Sequence, residues 1–173
     1  MKQLLALFLA LLFVGPNVAA RAQNDESCGP QSGLCWPVVK RGASGPRVVA
    51  LQFLLRNRGY KVVPDGKFAF ATESAVRKFQ RKNKLQVDGK IGWQSWEALT
   101  PNLKRGAKGD AVRALQTLLV LQGEKVKIDG VLGSATQRAV DDYFGFGEGK
   151  PPGSSVDDEG WCALTGGQFV PEH

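Results

Sequence analysis

Residues 40–66 read KRGASGPRVVALQFLLRNRGYKVVPDG, and residues 104–130 read KRGAKGDAVRALQTLLVLQGEKVKIDG. The second stretch repeats the first 64 positions on (Lys104 against Lys40), and from residue 40 to residue 79 about half the positions are identical without a gap. An internal repeat of this kind defines the folding unit before any local propensity is weighed. In the first copy, Ser44-Gly45-Pro46 is a helix entry, with proline at the first helical position. Val48, Leu51, Leu54 and Leu55 follow at helical spacing, and Gly59 is the stop. The second copy does the same from Gly109-Asp110 through Val112, Leu115, Leu118 and Leu119 to Gly123.

Beyond the helix, 60–64 reads as a short extended link, and Asp65-Gly66 as a tight turn. A second helix is expected from Thr72, taken as its N-cap, with Ala75, Val76 and Phe79 inward and Arg77, Lys78, Arg81 and Lys82 outward. The turn recurs at Asp88-Gly89. A third short helix then carries Trp93, Trp96 and Leu99, and Pro101 closes it. The expected fold is all-α: two tandem three-helix modules with short Asp-Gly turns and extended links, at 36–101 and 102–166. The second module is degenerate, because a Gly/Pro/Ser-rich insert at 145–155 replaces its second Asp-Gly turn.

Working outward, the first residues are not part of this fold. Lys2, the apolar run Leu4–Val14 and the small-x-small sequence Ala20-Arg21-Ala22 read as a secretory signal peptide over 1–22. The run is shorter than the roughly 20 residues of a membrane-spanning helix, and no other stretch qualifies. Residues 23–35 form a Cys/Gly-containing lead-in and 167–173 a tail. Cys28, Cys35 and Cys162 would then meet an oxidising compartment, where one pair should close. Cys35–Cys162 brackets the tandem; Cys28–Cys35 is the local alternative.

The formal charge of +7 becomes +5 without Lys2 and Arg21. The basic residues are scattered, with no set of base-stacking aromatics among them, which argues against nucleic acid. A metal site is not expected, because the one histidine is His173 and the cysteines lack a Cys-x-x-Cys spacing. Without a usable histidine there is no Ser-His or Cys-His pair, and the acid pairs Asp141-Asp142 and Asp157-Asp158 read as solvated. Neither a catalytic centre nor a cofactor is expected.

The order Gly42…Gly45…Val48…Leu51-Gln52…Leu55…Gly59, Val63-x-Asp65-Gly66-x-Phe68, Thr72…Ala75-Val76…Phe79-Gln80 and Leu85-x-Val87-Asp88-Gly89-x-Ile91-Gly92…Trp96 resembles the first type of peptidoglycan-binding domain. It does so strongly over 36–100 and in part over 102–166. Two departures stand out. Ala69 replaces a glycine of the first copy that the second keeps as Gly133, and Tyr143-Phe144 stands where the second copy should read Phe-Gln. The resemblance implies a secreted, extracellular, non-catalytic binder of cell-wall peptidoglycan, with a separate wall hydrolase as a possible partner. A pro-segment-like inhibitory module and a binder of another glycan such as chitin are the alternatives.

Resemblance and turn chemistry together place the ligand groove along the turns. Glycine there bares backbone to a ligand, and aspartate accepts hydrogen bonds from it. The expected contacts are Asp65, Gly66, Phe68, Thr72, Asp88, Gly89, Ile91, Gly92 and Trp93 in the first copy, and Asp129, Gly130, Leu132 and Thr136 in the second. Two such sites on one polymer would add avidity. Against this, each Asp could serve only its own turn, and Phe68, Trp96 and Trp161 are expected in the core.

Overall fold

The structure is a computed structural model, and it describes residues 34–145 and 155–169. The chain runs β1 (Leu34–Cys35), α1 (Pro46–Asn57), α2 (Phe70–Lys82), α3 (Trp93–Leu99), α4 (Asp110–Leu121), α5 (Ser134–Phe144), α6 (Asp158–Thr165) and β2 (Gln168–Phe169). The all-α expectation holds: among the described residues six helices make the body, and the two-residue strands pair antiparallel to bring Leu34 opposite Phe169. Among the described residues no helix is long and apolar enough to cross a membrane. The expected leader 1–22, Cys28, most of the expected insert 145–155 and the last residues of the expected tail lie outside the described residues.

Helix α1 begins where the sequence places it, with Pro46 in its first turn. It ends on Arg58 followed by Gly59 at φ +87°, where the Tyr60 N–H reaches back to Leu55 O at 3.0 Å. Helix α2 starts two residues before the expected Thr72. Ala69, in extended conformation, occupies the cap position without a side-chain bond, because the Thr72 hydroxyl is engaged in the core. The segment 60–64 forms no strand. Instead, isolated bridges join Ser44 to Lys67 and Val39 to Ile91, tying each Asp-Gly turn to the chain that precedes a helix.

The same contacts return in the second unit. Lys108 bridges Val131 as Ser44 bridges Lys67, and Leu103 bridges Val156 as Val39 bridges Ile91. The Trp96 indole donates to Pro37 O at 2.8 Å, and the Trp161 indole donates to Pro101 O at 2.8 Å. Both tryptophans are fully buried, and Trp36 stacks on Trp96 with ring centroids 5.9 Å apart. The units do not keep separate cores. One apolar cluster runs from Trp36 to Leu164, and the most extensive helix pairing is α1 against α4, across the unit boundary.

Candidate functional site

Each Asp-Gly turn is built around a buried glutamine. Gln52 lies on α1 facing the first turn, with its amide NH2 reaching Asp65 Oδ1 (2.8 Å), Lys67 O (3.1 Å) and Thr72 Oγ1 (3.1 Å). Its carbonyl oxygen accepts from the Gly66 N–H at 2.9 Å. Gln116 repeats the arrangement with Asp129, Val131 O, Thr136 and Gly130 N–H. Gln80 on α2 does so with Asp88, Lys90 O, Ser95 and Gly89 N–H. A side-chain amide suits this place because it carries two donors and an acceptor on one planar group. The sequence displays these glutamines in its Leu-Gln and Phe-Gln pairs; the equal spacing of Gln52 to Asp65 and of Gln116 to Asp129, 13 residues each, was the available signal, while Gln80 lies 8 residues before Asp88.

The turn carboxylates are therefore partly spent. Asp65 Oδ1 also accepts from the Lys67 N–H at 2.9 Å, and Asp129 Oδ1 from the Val131 N–H at 2.8 Å. The Lys67 backbone N–H, then Gln52, hold the Asp65 carboxyl below the ordinary carboxylate range. Gln116, then the Val131 backbone N–H, do the same for Asp129. Both residues remain exposed, so each keeps an oxygen toward solvent.

The glycines are not bare corners. Gly66, Gly89 and Gly130 are all buried. A Cβ at Gly66 would stand 3.0 Å from Val49 Cγ2, one at Gly89 would meet the Arg77 guanidinium at 2.8 Å, and one at Gly130 would meet Arg113 at 2.9 Å. Each glycine is required by its backbone, at φ +73°, +76° and +77°, where L side chains are strained, and a side chain of its own unit then lies over it. Phe68, Thr72, Ile91, Leu132 and Thr136 are likewise buried. Their expected place on a ligand-facing surface is corrected: apolar burial takes Phe68, Ile91 and Leu132 into the core, and the glutamine brackets take the two threonines. Of the expected contacts, Asp65, Asp129, Asp88, Gly92 and Trp93 keep accessible surface, Trp93 half-buried against the core edge.

Cys162 is buried in α6, where burial first, then Glu97 and Glu159, push a thiol up to about 11. The side chains of Cys28 and Cys35 lie outside the described residues.

Set against known proteins, residues 44–99 match the sequence model of a family described as "Putative peptidoglycan binding domain". The spore cortex-lytic enzyme of Bacillus cereus is 33% identical over 107 residues, which is 60% of this chain and 39% of that enzyme. The spore cortex-lytic enzyme of Halalkalibacterium halodurans is 36% identical over 89 residues, 51% of this chain and 23% of that enzyme. The solved SleB N-terminal domain is 42% identical, covering 36% of this chain and 88% of that domain, with a TM-score of 0.36. The chain thus spans less than half the length of the curated relatives it matches. The matches support a cell-wall peptidoglycan-binding module and, with it, a cell-wall or extracellular setting.

Proposed function

We propose that this chain is a secreted, non-catalytic module that holds bacterial cell-wall peptidoglycan, built from one complete copy of the domain and a second, degenerate one. The family match at 44–99 carries the reading, since it spans α1, α2 and α3 and both complete Asp-Gly turns of the first unit. The recurrence of the glutamine bracket, the backbone bridges and the tryptophan–proline bond in 102–166 supports the second copy. The matches do not favour an inhibitory pro-segment or a chitin binder. The accessible oxygens of Asp65 and Asp129, the Asp88 turn and the rim at Gly92 and Trp93 are the contacts this reading retains. It also retains a Cys35–Cys162 cross-link, because strand β1, which carries Cys35, packs against the helix that carries Cys162.

The deciding experiment is co-sedimentation of the chain with insoluble peptidoglycan, chitin and cellulose across a salt series. Retention on peptidoglycan alone, persisting at high salt, is expected. Loss at moderate salt would reduce the interaction to charge attraction, and release of soluble wall fragments by the purified chain would refute the non-catalytic reading. Peptide mapping without reductant is expected to find Cys35 joined to Cys162; a Cys28–Cys35 peptide would replace that pairing.

A further inference from the structure

Between the units lies an open cavity of about 660 Å³. One wall is the outer face of α1, with Pro46, Val49 and Phe53. The other is the end of α4 and the link after it, with Val120 and Ile128, which are 44% and 43% exposed. At its lip stand Asp65 and Lys67, one acidic and one basic side chain.

The cavity has a counterpart by the internal repeat, and charged side chains occupy that counterpart. Shifting by 64 positions turns Pro46 into Asp110, Val49 into Arg113 and Val120 into Arg56. There Asp110 pairs with Arg56 (3.1 Å) and with Arg113 (3.0 Å), Arg56 also lies over the Phe53 ring, and Arg113 covers Gly130. Two sequence-equivalent places thus differ in kind: one is carbon-lined and open, the other carries a three-residue charge cluster.

We infer that the open cavity is a single binding groove for the short peptide stems of the wall polymer, not for its sugar strand. The inference rests on the wall-binding reading and names which part of the polymer is held. Its size falls within the range of small-ligand sites. Burying unpartnered hydroxyls or amides is costly alike, but a sugar ring carries hydroxyls all round its edge, whereas a stem peptide can turn its methyls to the walls and leave its amides at the open mouth. The lining offers few: the Thr117 hydroxyl already donates to Arg113 O at 2.7 Å, which leaves Ser44 and the lip. Alanine methyls and aliphatic stems suit the walls, and a peptide's amino and carboxyl groups complement Asp65 and Lys67. Each chain then takes one peptide, where two equivalent domains would take two.

The test uses the whole chain after residue 22. Stem peptides freed from purified peptidoglycan by an amidase, the peptide-free glycan strands left behind, and intact wall serve as ligands, with stoichiometry read by calorimetry. Pro46→Asp/Val49→Arg copies two members of the charge cluster, Asp110 and Arg113, into the open groove at positions where the other unit already tolerates them. Ile128→Lys probes the opposite wall should the double variant fold poorly.

Peptides are expected to bind one per chain. Both variants should weaken them about tenfold or more with melting temperature unchanged. Equal binding of peptide-free glycan, undiminished peptide binding by the variants, or two peptides per chain would overturn the groove assignment while leaving wall binding intact. Self-association of the wild type that the variants abolish would overturn it in favour of a second copy on this face. Failure to retain intact wall would bring down the wall-binding reading and the groove with it.

Discussion

Gln52, Gln80 and Gln116 show how one side-chain amide organises a turn. Each replaces water for a glycine N–H, an aspartate and a hydroxyl at once, inside the fold. Gln52→Ala would strand the Gly66 N–H and release Asp65 and Thr72, at a cost of about 2–4 kcal/mol for several coupled buried bonds. Urea denaturation monitored by tryptophan fluorescence measures it, and a loss well under 1 kcal/mol would mean water substitutes for the amide. The carboxylates give the bracket a pH signature. Asp65 and Asp129 are held below their ordinary value of 3.8 in the fold. Their stabilisation is complete above that value and is lost as pH falls through the folded one. Melting temperature should therefore drop more steeply below pH 3.8 in the wild type than in Asp65→Asn/Asp129→Asn; parallel curves would show the carboxylates idle.

The end of α5 and the start of α6 show the same logic at the scale of elements. Position 80 is glutamine and position 144 is phenylalanine, so the fourth bracket has no amide to build on. The partner position changes too: Ser95, which completes the Gln80 bracket, corresponds to Gly160, and a Cβ there would stand 3.2 Å from the Phe144 ring and 3.3 Å from Val156. Asp157 takes over as a helix cap, accepting from the Gly160 N–H at 3.1 Å. An aromatic ring and a glycine have replaced a polar strut and its turn. Gly160→Ala should cost about 1–3 kcal/mol by overpacking, and less in a Phe144→Ala background than alone, because the two positions share one space. Additive losses in a double-mutant cycle would separate them.

Across the whole molecule, α1 and α4 join the units, and the question is what holds them. Arg56 reaches Asp110 across the boundary, but its side chain is 42% exposed, and exposed pairs contribute little. The apolar stripes of the two helices, with Ala50 and Ala114 fully buried at matching positions, carry the association. Arg56→Ala should change stability by less than about 1 kcal/mol. Cutting the chain after residue 101 should leave a first unit that unfolds at clearly lower urea than the intact chain, since the cut removes the α4 face that covers α1. An isolated unit as stable as the whole would make the units independent.

The repeat, read along the chain, determined most of the architecture. Helical spacing of Val48, Leu51 and Leu55, glycine at the helix stop, paired Asp-Gly turns and tryptophans at matching places are all local regularities, and local regularities survive without knowledge of neighbours. The helix start at Phe70 was missed because a threonine that caps and a threonine that braces a glutamine look alike in one dimension. The fate of the turns was decided only in three dimensions. Glycine is needed both where backbone meets a ligand and where a turn bends through positive φ, and Gly66, Gly89 and Gly130, buried at φ +73°, +76° and +77°, are of the second kind. The groove between the units is a tertiary fact as well: its walls come from helices far apart in sequence, and whether such a place is carbon-lined or charged depends on whether arginine and aspartate or proline and valine meet across it.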